Sequence, residues 1–441
     1  MLSDVLEYIN SCVSGPGLAA VIFVCGVVLF ARLGPFAIVH PRRTLTALRS
    51  GGVDGMSPAK AMCVALAGTL GVGNIAGVAS AIYIGGAGAI FWMWVSALAA
   101  MPIKYAETVL ALGHRRLKED GWHGGAFFYI TDTRRKWSGF SAGLFAALCL
   151  ATSLSMGSAV QAEAAASALT RLTGLPTVVC GVIVALPVLA VILGGLKRIA
   201  DISAKLIPAV CGLYILMSLY IIFGNIPLLG AVFGKIFAGA ADISAAGGGI
   251  FGFTLSRVVS VGVTRGIVSN EAGCGTAPIA HSGAEVKSPA VQGVFGMLEV
   301  AVDTLVICTM TALVVLIGAE KGLSVGVDGM ETALGAFGMF IPFSDRALSV
   351  SVIIFAFCTM ICWYYYGSES IAYLGLRHAG KVYPFIFAAA AVTGTLSGEA
   401  VWQFTDLFVS LMTILNMGCV MMYTREIKTG TDAYFGGHGK R

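Results

Sequence analysis

GTLGVGNIAG, residues 68–77, stands in the middle of an apolar run that extends from about 59 to 84. A helix passing unbroken through lipid would carry Leu and Ile there. Instead Gly68, Gly71, Gly73 and Gly77 surround Asn74. A second run, RGIVSNEAGCGTAP at 265–278, repeats the pattern inside an apolar stretch at about 248–282. Freed backbone groups are costly in hydrocarbon, so irregular backbone persists only where it lines a polar or water-filled cavity. There, bare carbonyls suit a cation and a half-helix N-terminus suits a carboxylate. Close helix packing alone would account for one such cluster. Two of them, five spans apart, predict two discontinuous helices around a small zwitterion and its coupling ion.

The rest of the chain agrees with a lipid solvent. Of its 441 residues 57% are hydrophobic and 12% charged, against about 25% charged in a soluble domain. The mean hydropathy is +0.87. Crossing the hydrocarbon takes about 20 apolar residues. Windows of that size fall at about 17–33, 59–84, 87–113, 141–167, 176–195, 203–223, 248–282, 289–317, 346–375, 383–398 and 401–423. An all-α integral membrane protein of about 11 transmembrane helices is predicted. Its 57 glycines fit helices that approach closely or break. Asp4 and Glu7 occupy the place where a cleavable leader would carry Lys or Arg. The cysteines are scattered singly; Cys358 and Cys362, four apart, have no His beside them, so inert buried thiols are expected rather than a metal centre.

Basic residues alternate between loops. Arg42, Arg43 and Arg49 follow span 1. Arg115, Arg116, Lys118, Arg134, Arg135 and Lys136 follow span 3, and Lys197 and Arg198 follow span 5. Arg377 and Lys381 follow span 9, and Arg425 and Lys428 follow span 11. The intervening loops are poor in Lys and Arg. The positive-inside rule then puts the N-terminus outside and the C-terminus in the cytoplasm of a plasma-membrane protein. The net charge of +5 is spread over these loops and presents no nucleic-acid face. No obligate protein partner is inferred. The stretch at about 34–58 is long enough for an amphipathic segment lying on the membrane.

Five-span spacing between the breaks has a further consequence. If spans 2–6 and 7–11 are repeats, their odd length makes them inverted. Residues 1–58 then form an N-terminal span and cytoplasmic loop, 59–223 and 245–425 the two repeats, and 426–441 a tail.

The two Gly-rich runs resemble the signatures of the alanine or glycine:cation symporter family. So do DTLVICTMT at 303–311, Lys104-Tyr105-Ala106-Glu107, and WYYYG at 363–367. The resemblance runs from about residue 15 to 425. It implies a LeuT-like 5+5 inverted repeat after one extra N-terminal helix. It also implies Na⁺ coupling, with H⁺ in some members, and uptake of a small neutral amino acid such as alanine or glycine. By the same resemblance Gly71, Val72, Gly73 and Asn74 present backbone to substrate and ion, with Ser269, Asn270, Gly273, Gly275 and Thr276 on the second broken helix. Gln161 reaches the substrate, and Trp363 walls its side-chain pocket. Gly68, Thr69, Gly71, Cys358 and Thr359 are placed around the cation.

The chain departs from the family in two places. Helix 4 of the family reads Gly-Asn-Met-Val-Gln-Ser-Asn; here Ser158 and Glu163 replace two amides. On span 9, Cys358, Cys362, Tyr364 and Ser368 replace Ser, Gly, Ser and Glu. Charges inside spans are functional by default. Glu163, beside Gln161, is a candidate proton site. Lys104 and Glu107, i and i+3, are read as neutralising each other. Arg265 and Glu271 are read as pairing across the break. Asp303 is expected to bond a neighbouring helix or a freed N–H.

Other classes fit less well. Gly139-Phe140-Ser141-Ala142-Gly143 matches G-x-S-x-G, but a nucleophile elbow needs a strand before the Ser. Ser141 is read as a helix cap instead. No H-E-x-x-H is present. Channels favour symmetric rings of carbonyls or charges, which one chain with inverted repeats does not supply.

Overall fold

A computed structural model describes residues 10, 13, 16–51, 55–118, 121–133, 135–240, 250–396 and 399–436. The tail residues 437–441, part of the proposed 426–441 segment, and the junction 241–249 lie outside them. The described chain is helical apart from one small antiparallel hairpin, Arg116–Lys118 with Gly121–His123. In chain order the helices used below are α1 (Pro16–Leu33), α2 (Pro58–Thr69), α3 (Gly73–Gly85) and α4 (Gly88–Gly113). They continue with α5 (Ser138–Thr173), α6 (Thr177–Ile192), α7 (Gly195–Gly224), α8 (Ile226–Ala240) and α9 (Ile250–Asn270). The last are α10 (Ala277–His281), α11 (Pro289–Glu320), α12 (Gly329–Gly338), α13 (Ser344–Tyr373), α14 (Arg377–Gly394), α15 (Glu399–Met422) and α16 (Thr424–Phe435).

Among the described residues, six helices (α4, α5, α7, α11, α13 and the Val401–Met422 part of α15) are long and apolar enough to cross a membrane. The pair α2 and α3 makes a seventh if counted as one span, bent by 63° at its break. The remaining windows fall on shorter or more polar helices, α1, α6, α9 with α10, and α14. The apolar helix α8 is one the windows did not contain. Pro41–Leu48 is helical within the predicted amphipathic stretch. Ser141 lies inside α5, its N–H bonded to Trp137 O. It is therefore not a cap, because the helix starts at Ser138, three residues earlier.

The core follows from small residues. α4 packs mainly against α9 and α11, and α5 against α13. A side chain on Gly262 of α9 would overlap Ala89 O of α4, so only Gly allows this approach. Gly157 of α5 does the same for α13, since a Cβ there would overlap Trp363.

Outside the spans, Asp132 binds His114 Nδ1 at 2.8 Å and Arg116 Nη2 at 2.6 Å. Partial burial opposes the Asp132 carboxylate, but His114 and Arg116 outweigh it and hold it below its ordinary range. His114 also reaches Glu426 of α16 at 3.1 Å, and Arg43 caps the end of α16 at Tyr434 O.

Candidate functional site

The sequence breaks where glycine and asparagine let it. Leu70 leaves the helix with an extended ψ of 102°, and Gly73–Gly77 resumes as π-helix. Two more π-helical stretches occur, Ala301–Cys308 in α11, which packs against it, and Ser155–Val160 in α5. Such stretches concentrate at functional sites, and their position is not visible in residue spacing.

Asn74 joins the two broken helices. Its Oδ1 accepts the Gly71 N–H at 3.1 Å, so the side chain caps its own break. Its Nδ2 donates to Ser269 Oγ at 2.9 Å and to Asp303 Oδ1 at 2.7 Å. Ser269 and Thr304 donate to Asp303 Oδ2 at 2.6 and 2.9 Å. Asn270 points elsewhere, donating to Gly266 O at 2.7 Å and Thr304 Oγ1 at 3.1 Å. One fully buried carboxylate thus ties α3, α9 and α11 together, as the reading of Asp303 anticipated.

A second group surrounds Gly68–Gly71. Thr359 Oγ1 donates to Leu70 O at 3.2 Å, and Trp363 Nε1 donates to Gly68 O at 3.3 Å. A Cβ on Gly71 would stand 3.3 Å from Gln161 Oε1 and 3.5 Å from Thr359 Oγ1. Gln161 Oε1 is buried and has no hydrogen-bond partner among the described residues. Thr69 bonds only its own helix, at Leu66 O, 3.4 Å. Val72 is half-buried, and Cys358 is buried with its thiol in the field of Cys211 on α7. Carbonyl and hydroxyl oxygens of this kind are what a hard cation takes in place of water.

The second break lies apart from that group. Glu271, Gly273 and Gly275 have φ of 50°, 88° and 82°, the left-handed region. Thr276 Oγ1 donates to Glu271 Oε2 at 2.8 Å, and Gly273 O accepts from Asn416 Nδ2 of α15 at 2.8 Å. Gly273 and Gly275 therefore stand with α15 and Thr276 with Glu271, while Ser269 reaches the first break. A cavity of about 530 Å³ lies between α1, α9 and α15, with Glu271 and Cys274 in its wall.

Two predicted pairs are corrected. Arg265 lies in the field of Asp406 of α15, not of Glu271, whose carboxylate takes Thr276. Lys104 makes its ion pair with Glu299 of α11 at 3.5 Å; Glu107 stays in its field but takes its hydrogen bond from Asn416. Helical neighbours three apart do not decide pairing when a facing helix offers a carboxylate. Glu163 is half-buried and makes no hydrogen bond or ion pair among the described residues. His281, Gln292 and Asn416 were not singled out from sequence; Asn416, mid-span in α15, was the visible signal.

Two interrupted helices joined through buried polar groups, with a cavity against the second break, are the marks of a secondary transporter. The chain belongs to the sodium:alanine symporter family, whose sequence model matches residues 1–440. It is accordingly a multi-pass membrane transporter, a sodium-coupled symporter of amino acids and not an enzyme. It is 33% identical to the sodium/alanine symporter AgcS of Methanococcus maripaludis, over 98% of this chain and 97% of that one. It is 30% identical to the probable sodium/glutamine symporter GlnT of Bacillus subtilis, over 98% and 94%. Its fold resembles a Na⁺-coupled sialic acid symporter captured outward-open with substrate. The TM-score is 0.51 at 14% identity, covering 97% of this chain and 86% of that one.

Proposed function

We propose that the chain carries a small neutral amino acid, alanine or glycine, into the cell together with Na⁺ by alternating access. The observation that carries this reading is Gln161, a buried amide whose oxygen has no hydrogen-bond partner among the described residues and lies beside Gly71 at the first break. An orphaned polar atom in a native interior calls for a ligand. In this reading Gln161 Oε1 takes the ammonium of the substrate, with Gly71–Asn74 and Ser269 near it. Asn270, Gly273, Gly275 and Thr276 line the second break that moves during transport. Trp363, held by Gly68 O and backed by Gly157, limits the side-chain pocket. Na⁺ takes oxygens from the Gly68–Gly71 carbonyls, Thr69 and Thr359, and Cys358 supports that wall. Ion binding orders the break and raises substrate affinity, and substrate raises ion affinity by the same factor.

The architecture in this reading is eleven spans, with repeats at 59–223 and 245–425, the N-terminus outside and the C-terminus in the cytoplasm. The loop charges support that orientation.

Uptake of labelled alanine, glycine and serine into proteoliposomes, with and without a Na⁺ gradient, tests the proposal. Saturable, gradient-dependent uptake is expected; equal uptake without Na⁺ would reject it. Gln161→Ala is expected to reduce uptake about tenfold, since a lost charge-assisted bond is worth about 1.5–3 kcal/mol. Its thermal midpoint should not fall, because no internal bond is lost. A large fall would make Gln161 structural instead. Trp363→Phe keeps the packing but shrinks the wall. It should raise valine uptake relative to alanine about tenfold, within the roughly 10–200-fold that one methylene commands. An unchanged ratio would remove Trp363 from the pocket.

A further inference from the structure

Lys104 of α4 is wholly buried, and two buried carboxylates on different helices lie beside it. Glu299 stands 3.5 Å from its ammonium, and Glu107 lies one turn along the same helix. Glu271, in the second break, acts on Lys104 through the same field. His281 of α10 meets Glu299 Oε2 through Nε2 at 2.8 Å. Its other nitrogen, Nδ1, lies 2.7 Å from Gln292 Nε2. Three carboxylates then act on one ammonium, an excess of negative charge in a fully buried group. Desolvation makes such an excess untenable, and buried groups of this kind take up protons.

Two carboxylate oxygens of the group make no hydrogen bond among the described residues, and they differ in what they face: Glu299 Oε1 stands 3.5 Å from the Lys104 ammonium, whereas Glu107 Oε2 has no ion pair and Glu107 Oε1 accepts from Asn416 Nδ2. The remaining groups facing Glu107 are the backbone N–H of Gly273 in the break, Tyr129, whose hydroxyl donates to Asn416 Oδ1, and Cys274. None is a cation. An unpartnered carboxylate oxygen is far costlier than an unpartnered neutral carboxyl oxygen.

We propose that Glu107 binds a proton inside the membrane, separately from the amino acid and Na⁺, and that this proton sets how firmly the second break is held. The link is Asn416, whose single NH₂ group bridges Glu107 and Gly273 O. The cavity lined by Glu271 and Cys274 lies beside the break and is the route this proposal assigns to the proton. The step is H⁺ plus carboxylate giving carboxylic acid, with no other reactant. With the proton on, the Asn416 bond is neutral and the break is released. With it off, the bond is charge-assisted, roughly twice as strong, and the break is clamped. Uptake therefore falls as pH rises through loss of the proton, by up to about tenfold per pH unit.

The test has two arms. Infrared spectra of the purified protein should show a protonated-carboxyl stretch at neutral pH that is lost in Glu107→Gln and displaced in Asn416→Ala. This arm needs no transport. The uptake arm rests on the transport reading: Glu107→Gln, a mimic of the protonated form, should make Na⁺-driven uptake independent of pH. Glu163→Gln should keep the wild-type profile. A wild-type spectrum without the band, or one that Asn416→Ala leaves unmoved, overturns the proposal even if Glu107→Gln does not fold. So does a Glu107→Gln profile parallel to wild type. Absence of any uptake in wild type would instead sink the transport reading and leave the infrared result to decide the proton site.

Discussion

Asn74→Ala is expected to abolish Na⁺-driven uptake while leaving the protein in the membrane. The side chain makes three bonds that define the first break, to Gly71 N, Ser269 Oγ and Asp303 Oδ1. The bond to the Asp303 carboxylate is worth about 1.5–3 kcal/mol and each neutral bond about 1. Their joint loss, about 4 kcal/mol, corresponds to roughly a thousandfold if it falls on transport. Asp303 keeps Ser269 and Thr304, so its charge is not stranded and insertion should survive. Ser269→Ala removes one donor from Asp303 and one acceptor from Asn74, and should cost less. The measurement is uptake at equal membrane levels. If Asn74→Ala transports within about twofold of wild type, against the expected thousandfold, the bridge between the breaks plays no part in the cycle.

How much of this was open to the sequence depends on whether the cause was local. The break after Thr69 was legible because glycine and asparagine in lipid have few other uses, and the 63° bend falls at that point. Trp363 and Thr359, one helical turn apart, were placed on one face of a span, and both reach the Gly68–Leu70 carbonyls. Charge pairing was not legible. Lys104 was matched to Glu107 and Arg265 to Glu271, since spacing sees only near neighbours along the chain. The actual partners, Glu299 and Asp406, come from helices whose approach is set by tertiary packing. The same holds for Gly273 and Gly275, which share a motif with Ser269 but turn toward α15 once the backbone enters the left-handed region. The π-helical turns that present Asn74 and Asp303 leave no periodic trace in so apolar a background. Helix α8 was missed because its apolar stretch, at 15 residues, is too short for a spanning window.

Removing the ammonium at the centre of the buried network should be the most destabilising single change in the scaffold. Lys104 and Glu299 are both shielded from solvent, and His281 and Gln292 hang α10 and the start of α2 on Glu299, Gln292 Nε2 reaching Pro58 O at 3.2 Å. Lys104→Met keeps the volume and removes the charge. Breaking one side of a buried pair costs about 3–5 kcal/mol, because the other charge stays behind uncompensated. At about 2 °C per kcal/mol for a large chain, the thermal midpoint in detergent should fall by roughly 6–10 °C. The penalty lies in the stranded carboxylate and not in the lost attraction. Lys104→Met combined with Glu299→Gln should therefore regain more than half of the loss, a coupling that two independent sites would not show. Strictly additive losses in the double variant would mean that Lys104 stabilises the bundle by packing its aliphatic stem and not by holding Glu299.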